Sequence, residues 1–118
     1  MPTAAELSAW LLQAREHELV RRTAHWLYEV QKLEDQAELT DPGLTGSSIV
    51  DALVAAAAET AALRAGQRSP EWTSDPARFL DHFWYPGPDS LFAWALAHTP
   101  SPFKIRGVLI EADPLASV

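Results

Sequence analysis

The 118-residue sequence predicts an all-α fold: two long N-terminal helices, two or three short helices punctuated by proline, and one short C-terminal β segment. Three observations carry this prediction. Apolar residues recur at helical spacing through residues 3–38 and 47–65, each stretch opening on a capping residue and closing on a turn former. From Pro70 onward the composition changes, with seven of the nine prolines and eight of the eleven aromatic residues in that part of the chain. Only residues 103–111 read as a strand.

The first helix is expected to start at Thr3, where Thr3-x-x-Glu6 has the form of a capping box, and nothing interrupts it before Asp41-Pro42-Gly43. At 1.5 Å per residue such a helix would be roughly 54 Å long, against about 35 Å for a compact domain of this size. Its apolar face also changes direction. Leu7, Trp10, Leu11 and Ala14 form one stripe, and Leu19, Thr23, Trp26, Leu27, Val30, Leu33 and Ala37 form another, with Arg15-Glu16-His17-Glu18 between them. Two readings follow: the helix breaks near residues 15–18, or its ends bury against different bodies, which would place Trp10 and Leu11 at a partner interface. Glu18, Arg22, His25, Glu29, Lys32 and Gln36 make the opposite face polar, in the i,i+4 pattern of a solvated surface. His25 and Glu29 alone are too few ligands to predict a metal site.

A turn-rich loop over residues 41–46 leads to a helix starting at Ser47 or Ser48 and stopping at Gly66. Ile49, Val50, Leu53, Ala57, Thr60 and Ala61 give it a broad apolar face, and its alanines permit close approach of neighbours, so it reads as a core helix. Gly43-x-x-Gly46-Ser47-Ser48 lacks the lysine and the preceding strand of a phosphate-binding loop. Asp75-Pro76 predicts a helix start running through Trp84 to Pro86-Gly87-Pro88. Asp89 then caps a last helix over 90–98, apolar nearly all round and therefore expected at the centre of the core.

The organisation is one domain over 1–118: a long-helix half (1–66), an aromatic-rich half (67–102) and an extended tail (103–118). Apolar residues at 47% and charged residues at 21% are ordinary for a globular chain. Absence of cysteine removes disulfides, thiolate nucleophiles and Cys-ligated zinc, and with no secretory signal pattern at the N-terminus the expectation is a cytoplasmic protein. Residues 49–65 are too short, and too charged with Asp51, Glu59 and Arg64, to span a membrane. The net charge of -7 is spread along the chain, and Arg21-Arg22 is the one tight basic cluster, which argues against direct nucleic-acid binding.

No catalytic motif, metal site or cofactor is predicted. Asp81 and His82, adjacent on a helix, would point about 100° apart and form no dyad; no serine sits in a nucleophile elbow. A ligand pocket among Trp72, His82, Trp84, Tyr85, Trp94 and His98 is the reading if the protein is a small enzyme or ligand binder. The favoured reading is a non-catalytic protein that binds a more basic protein partner, or itself, as an antitoxin, immunity protein or assembly subunit would. Its predicted surface is the tail, where Phe103, Ile105, Arg106, Val108, Leu109 and Ile110 form a strand without a partner in the sequence, available to a second copy or to another protein's sheet edge, together with Trp10 and Leu11. A strap over the chain's own helices is the alternative for the same segment.

Overall fold

The computed structural model describes residues 2–32 and 39–110. Leu33, Gln36 and Ala37 of the first expected helix, and residues 111–118 of the tail, lie outside them. The protein is mostly helical and measures 39 × 29 × 25 Å. Its α-helices among the described residues are α1 (Ala4–Leu12), α2 (Leu19–Lys32), α3 (Ser48–Arg64), α4 (Phe92–His98) and the single turn α5 (Ser101–Lys104), with short 3-10 turns between them.

The predicted long first helix is broken. The Thr3 hydroxyl accepts from the Glu6 N–H at 3.0 Å to cap α1, and α1 ends at Leu12 with Ala14 turning back onto the Leu11 carbonyl. After the 3-10 turn Glu16–Glu18, α2 runs back antiparallel to α1. Two side chains of α2 fasten the pair: Arg22 Nη1 donates to the Trp10 carbonyl at 2.7 Å and Trp26 Nε1 to the Thr3 carbonyl at 3.1 Å. The break lets both stripes reach one body. Leu7 and Leu11 from α1, and Leu19, Trp26, Leu27 and Val30 from α2, enter the same core, so the change of apolar face that the sequence shows is the mark of a helical hairpin.

Both helices pack on α3, which is the centre of the fold. Residues 50–58 and 60–62 of this helix are all buried. Its run of alanines, Ala55–Ala58, leaves α3 thin enough for α1, α2, α5 and two 3-10 turns to approach it at once. The Ser47 side chain accepts from the Val50 N–H to cap its start. Gly66, at φ 71°, ends it in a Schellman arrangement, with Gln67 N–H on the Ala62 carbonyl and Gly66 N–H on that of Leu63.

Three expectations for the second half are corrected. The helix predicted from Asp75 to Trp84 is only the 3-10 turn Pro76–Arg78, after which Phe79 is extended. The strand predicted over 103–111 begins as the helical turn α5 and pairs at a single point, a parallel bridge between Trp84 and Val108. These two misreadings have one cause. Leu80 N–H donates to the Arg106 carbonyl at 2.9 Å and Trp84 N–H to that of Gly107 at 2.8 Å, while Leu109 N–H donates to the Trp84 carbonyl at 2.9 Å. The donors that would have continued a helix through residue 84 serve the tail, and the tail finds its partner there. Gly107, at φ 86°, makes the turn; a Cβ on it would lie 3.1 Å from that of Leu80.

The third correction concerns α4, expected at the core's centre. Only Ala95 of this helix is buried. The centre is already filled by α3, and α4, two turns long, packs chiefly on the 3-10 turn Asp89–Leu91 that leads into it. Thr99 ties its end to the body: the hydroxyl lies 2.6 Å from the Ala95 carbonyl and 2.9 Å from that of Ile110, and accepts from the Ile110 N–H at 3.1 Å.

Two arginines, Arg78 and Arg106, the second of them expected at the partner surface, are buried and stitch loops to α3. Arg78 reaches the carbonyls of Asp51 (3.2 Å) and Gly43 (3.0 Å) and the Asp41 carboxylate (3.3 Å), under the Trp72 ring at 4.6 Å. Arg106 donates to the carbonyls of Pro102 and Thr73, both at 2.7 Å, and pairs with Glu59 at 2.6 Å. Neither could be buried without such partners.

Candidate functional site

The residues predicted at a partner interface are mostly interior. Leu11, Phe103, Arg106, Val108, Leu109 and Ile110 are all buried, Trp10 is half-buried, and Ile105, at 58% exposure, is the one side chain of the set that faces solvent. The segment carries apolar residues on consecutive positions 108–110, and all three are buried. The sequence pattern that suggested an adhesive edge is that of a core segment.

The six residues of the alternative pocket do not converge. Trp72 donates Nε1 to the Leu39 carbonyl at 2.8 Å and stacks on Arg78. His82 and Trp84 line a groove of about 360 Å³ with Ser48, Ile49 and residues 79–83, and Trp84 Nε1 donates to Glu16 Oε1 at 2.8 Å. Tyr85 lines a separate groove of about 240 Å³ with Glu16, His17, Val20 and Gly87. Trp94 and His98 stack on each other on α4, with ring centres 4.4 Å apart, and His98 Nδ1 lies 2.8 Å from the Trp94 carbonyl. The histidine therefore serves the helix end, as a basic group in a last turn does. No group of three or more His, Asp or Glu side chains among the described residues is arranged to hold a metal ion.

What the structure does bring together is an exposed apolar face. Leu91, Phe92, Trp94 and Leu96 are 37–41% exposed. The four lie within residues 91–96, in the turn Asp89–Leu91 and α4, and spread around a short helix of which only Ala95 is fully covered. Phe92 meets Tyr85 edge-on, with ring centres 5.6 Å apart, which joins this face to the Tyr85 groove. Tyr85 is held in turn: its hydroxyl donates to the Pro88 carbonyl at 2.7 Å, and a Cβ on Gly87 would come within 2.5 Å of that oxygen. Proline and glycine at 86–88 thus position an aromatic ring at the edge of the helix.

The segment that carries these residues is acidic in sequence. No Lys or Arg occurs between Arg78 and Lys104, whereas Asp81 and Asp89 are both exposed. Among the described residues, two of the chain's nine basic side chains, Arg78 and Arg106, are buried, against one carboxylate, Asp51.

Among the described residues no helix is long and apolar enough to cross a membrane. No protein-family model matches the chain, and neither a curated protein nor a solved structure matches it.

Proposed function

We propose that the protein is a non-catalytic binding protein that docks a basic protein partner on the α4 face, in the manner of an antitoxin, an immunity protein or an assembly subunit. The observation that carries this reading is the exposure of Leu91, Phe92, Trp94 and Leu96 together on one short element. Large apolar side chains clustered at a surface mark contact sites, and aromatic residues supply most of the energy of such contacts. Charge selects the occupant: a segment without Lys or Arg on a chain of net charge -7 favours approach of a cationic surface over that of its own copy. The tail predicted as the interface supports the reading indirectly, by anchoring Trp84 and the segment that leads to α4.

The test places a photo-crosslinking phenylalanine analogue at position 94 of the full chain at native expression level in its source cell, with the same analogue at exposed Gln67 as control. The reading expects one protein crosslinked from position 94 and not from 67, through a Lys- or Arg-rich surface, with binding by the purified pair weakened by salt and lost in Phe92→Ser/Trp94→Ser. Crosslinking of the protein to itself would make the partner a second copy. Identical products from both positions, or unchanged affinity in the double variant, would overturn the reading.

A further inference from the structure

A second surface, remote in sequence from α4 and independent of the reading above, lies between α1 and α2. The antiparallel pair leaves a groove of about 410 Å³. Among the described residues its ionisable lining is Glu6 from the first turn of α1, and His25 and Glu29 from α2, with no Lys or Arg. Its aromatic lining is Trp10, half-buried, and Trp26, buried and fixed by its bond to the Thr3 carbonyl. His25 stands edge-on to Trp10 at 5.5 Å and places Nε2 3.9 Å from Glu29 Oε1.

We propose that this groove binds a guanidinium or alkylammonium group, with Glu6 and Glu29 meeting its charge and the Trp10 indole meeting its face or its alkyl stem. An aromatic ring attracts a cation through its quadrupole, and carboxylates lining the same groove add direct charge pairing. The chain carries its own example: the Arg22 guanidinium lies 5.2 Å from the centre of the Trp10 ring. An anionic ligand would face the Glu6 and Glu29 carboxylates, and Arg22, the cation described beside the Trp10 ring, is already engaged by the Trp10 carbonyl and Glu18, so the groove selects against an anion. Guanidinium and ammonium groups reach a protein either as small polyamine-like molecules or as Arg and Lys side chains of another protein, and the groove's chemistry suits both.

The experiment is a titration of the isotope-labelled full chain, followed by amide and indole N–H shifts, with agmatine, with a blocked Gly-Arg-Gly peptide and with neutral N-butylurea. The expected result is saturable movement of the Trp10 indole and the Glu6 and His25 amides with at least one cationic probe, weakened at least tenfold in Glu6→Gln/Glu29→Gln and by added salt, and absent with the urea. Binding of agmatine alone identifies a small-molecule site; equal or tighter binding of the peptide identifies a side-chain site. No saturation with either cation, or equal response to the neutral urea, would overturn the proposal on the wild-type chain whatever the fold of the double variant.

Discussion

Trp84 and Val108 meet in a parallel bridge that joins the aromatic-rich segment to the C-terminal tail. Gly107 O and Leu109 N–H, the backbone groups on either side of Val108, both bond to Trp84, at 2.8 Å and 2.9 Å. The Trp84 indole continues the link to the helical hairpin through Glu16, 68 residues earlier in the chain. The tail is therefore a keystone of the domain, and the first prediction follows from that position.

Removing residues 103–118 is expected to unfold the protein. Phe103, Val108 and Leu109 are fully buried and Ile110 is 1% exposed, and burying each such side chain stabilises a fold by about 1.5–3 kcal/mol. Leu109→Ala alone should cost about 2–5 kcal/mol. Circular dichroism and urea unfolding check both. A truncated chain that keeps its helical signal would return the tail to the surface and restore it as an interface.

The second prediction concerns the Arg106–Glu59 pair. Arg106 is 1% exposed and Glu59 20%, so the guanidinium cannot recruit water when its counter-charge is removed. Glu59→Ala should cost about 3–5 kcal/mol, the usual penalty for stranding a buried charge. Arg106→Met leaves the Pro102 and Thr73 carbonyls without their donors. The double variant removes charge and counter-charge together, and its cost should fall short of the sum of the singles by about 0.5–3 kcal/mol. Additive urea midpoints would show that the two residues act separately.

These two cases show what the sequence could and could not display. Caps and periodicity are local, so the start of α1 at Thr3, the limits of α3 from Ser47 to Gly66 and the core role of its alanines are readable directly. The break between α1 and α2 is visible as a change of apolar face at residues 15–18. The extended course of residues 79–84 is not visible, because Asp75-Pro76 is a true helix start and what ends the helix is a set of hydrogen bonds to residues 106 and 107. The tail's partner stays hidden for the same reason. Arg78 and Arg106 look like surface residues until the carbonyls around them are in place. The exposed face of α4 could be read as apolar from its sequence, but apolarity all round is equally the pattern of a buried helix; whether α3 already fills the centre is a property of the fold.

The third prediction is a pH dependence localised to the start of α2. The Arg15 N–H donates to Glu18 Oε1 at 3.1 Å, and this bond, helped by nearby Arg22, holds the Glu18 carboxyl below the ordinary glutamate value of 4.5. In the unfolded chain the carboxyl returns to that value and takes up a proton more readily. The stabilisation is thus fully present above about pH 4.5 and is lost as the pH falls through the lower folded value. Glu18→Gln should lower the thermal midpoint at pH 7 and make no difference in strong acid. A gap between wild type and variant that widens on acidification would reverse the sign and refute the assignment.

The last prediction separates the α4 face from the stability of the fold. Gly87 does not need positive φ, so alanine there is tolerated by the backbone, but its Cβ would sit 2.5 Å from Tyr85 Oη. The obstructing atoms, Tyr85 Oη, Cζ and Cε1, form the outer edge of a side-chain ring, so the ring swings away rather than the backbone breaking. That movement gives up the hydroxyl's bond to the Pro88 carbonyl, worth about 1 kcal/mol, and withdraws the ring from the edge of Phe92. Gly87→Ala is therefore expected to shift the urea midpoint only slightly while weakening partner binding several-fold, and Tyr85→Phe, which keeps the ring and loses only the hydroxyl, should retain most of the affinity. If Gly87→Ala leaves binding unchanged while the Tyr85 ring resonances move, the ring lies outside the contact, and the docking surface is confined to α4 and the turn before it.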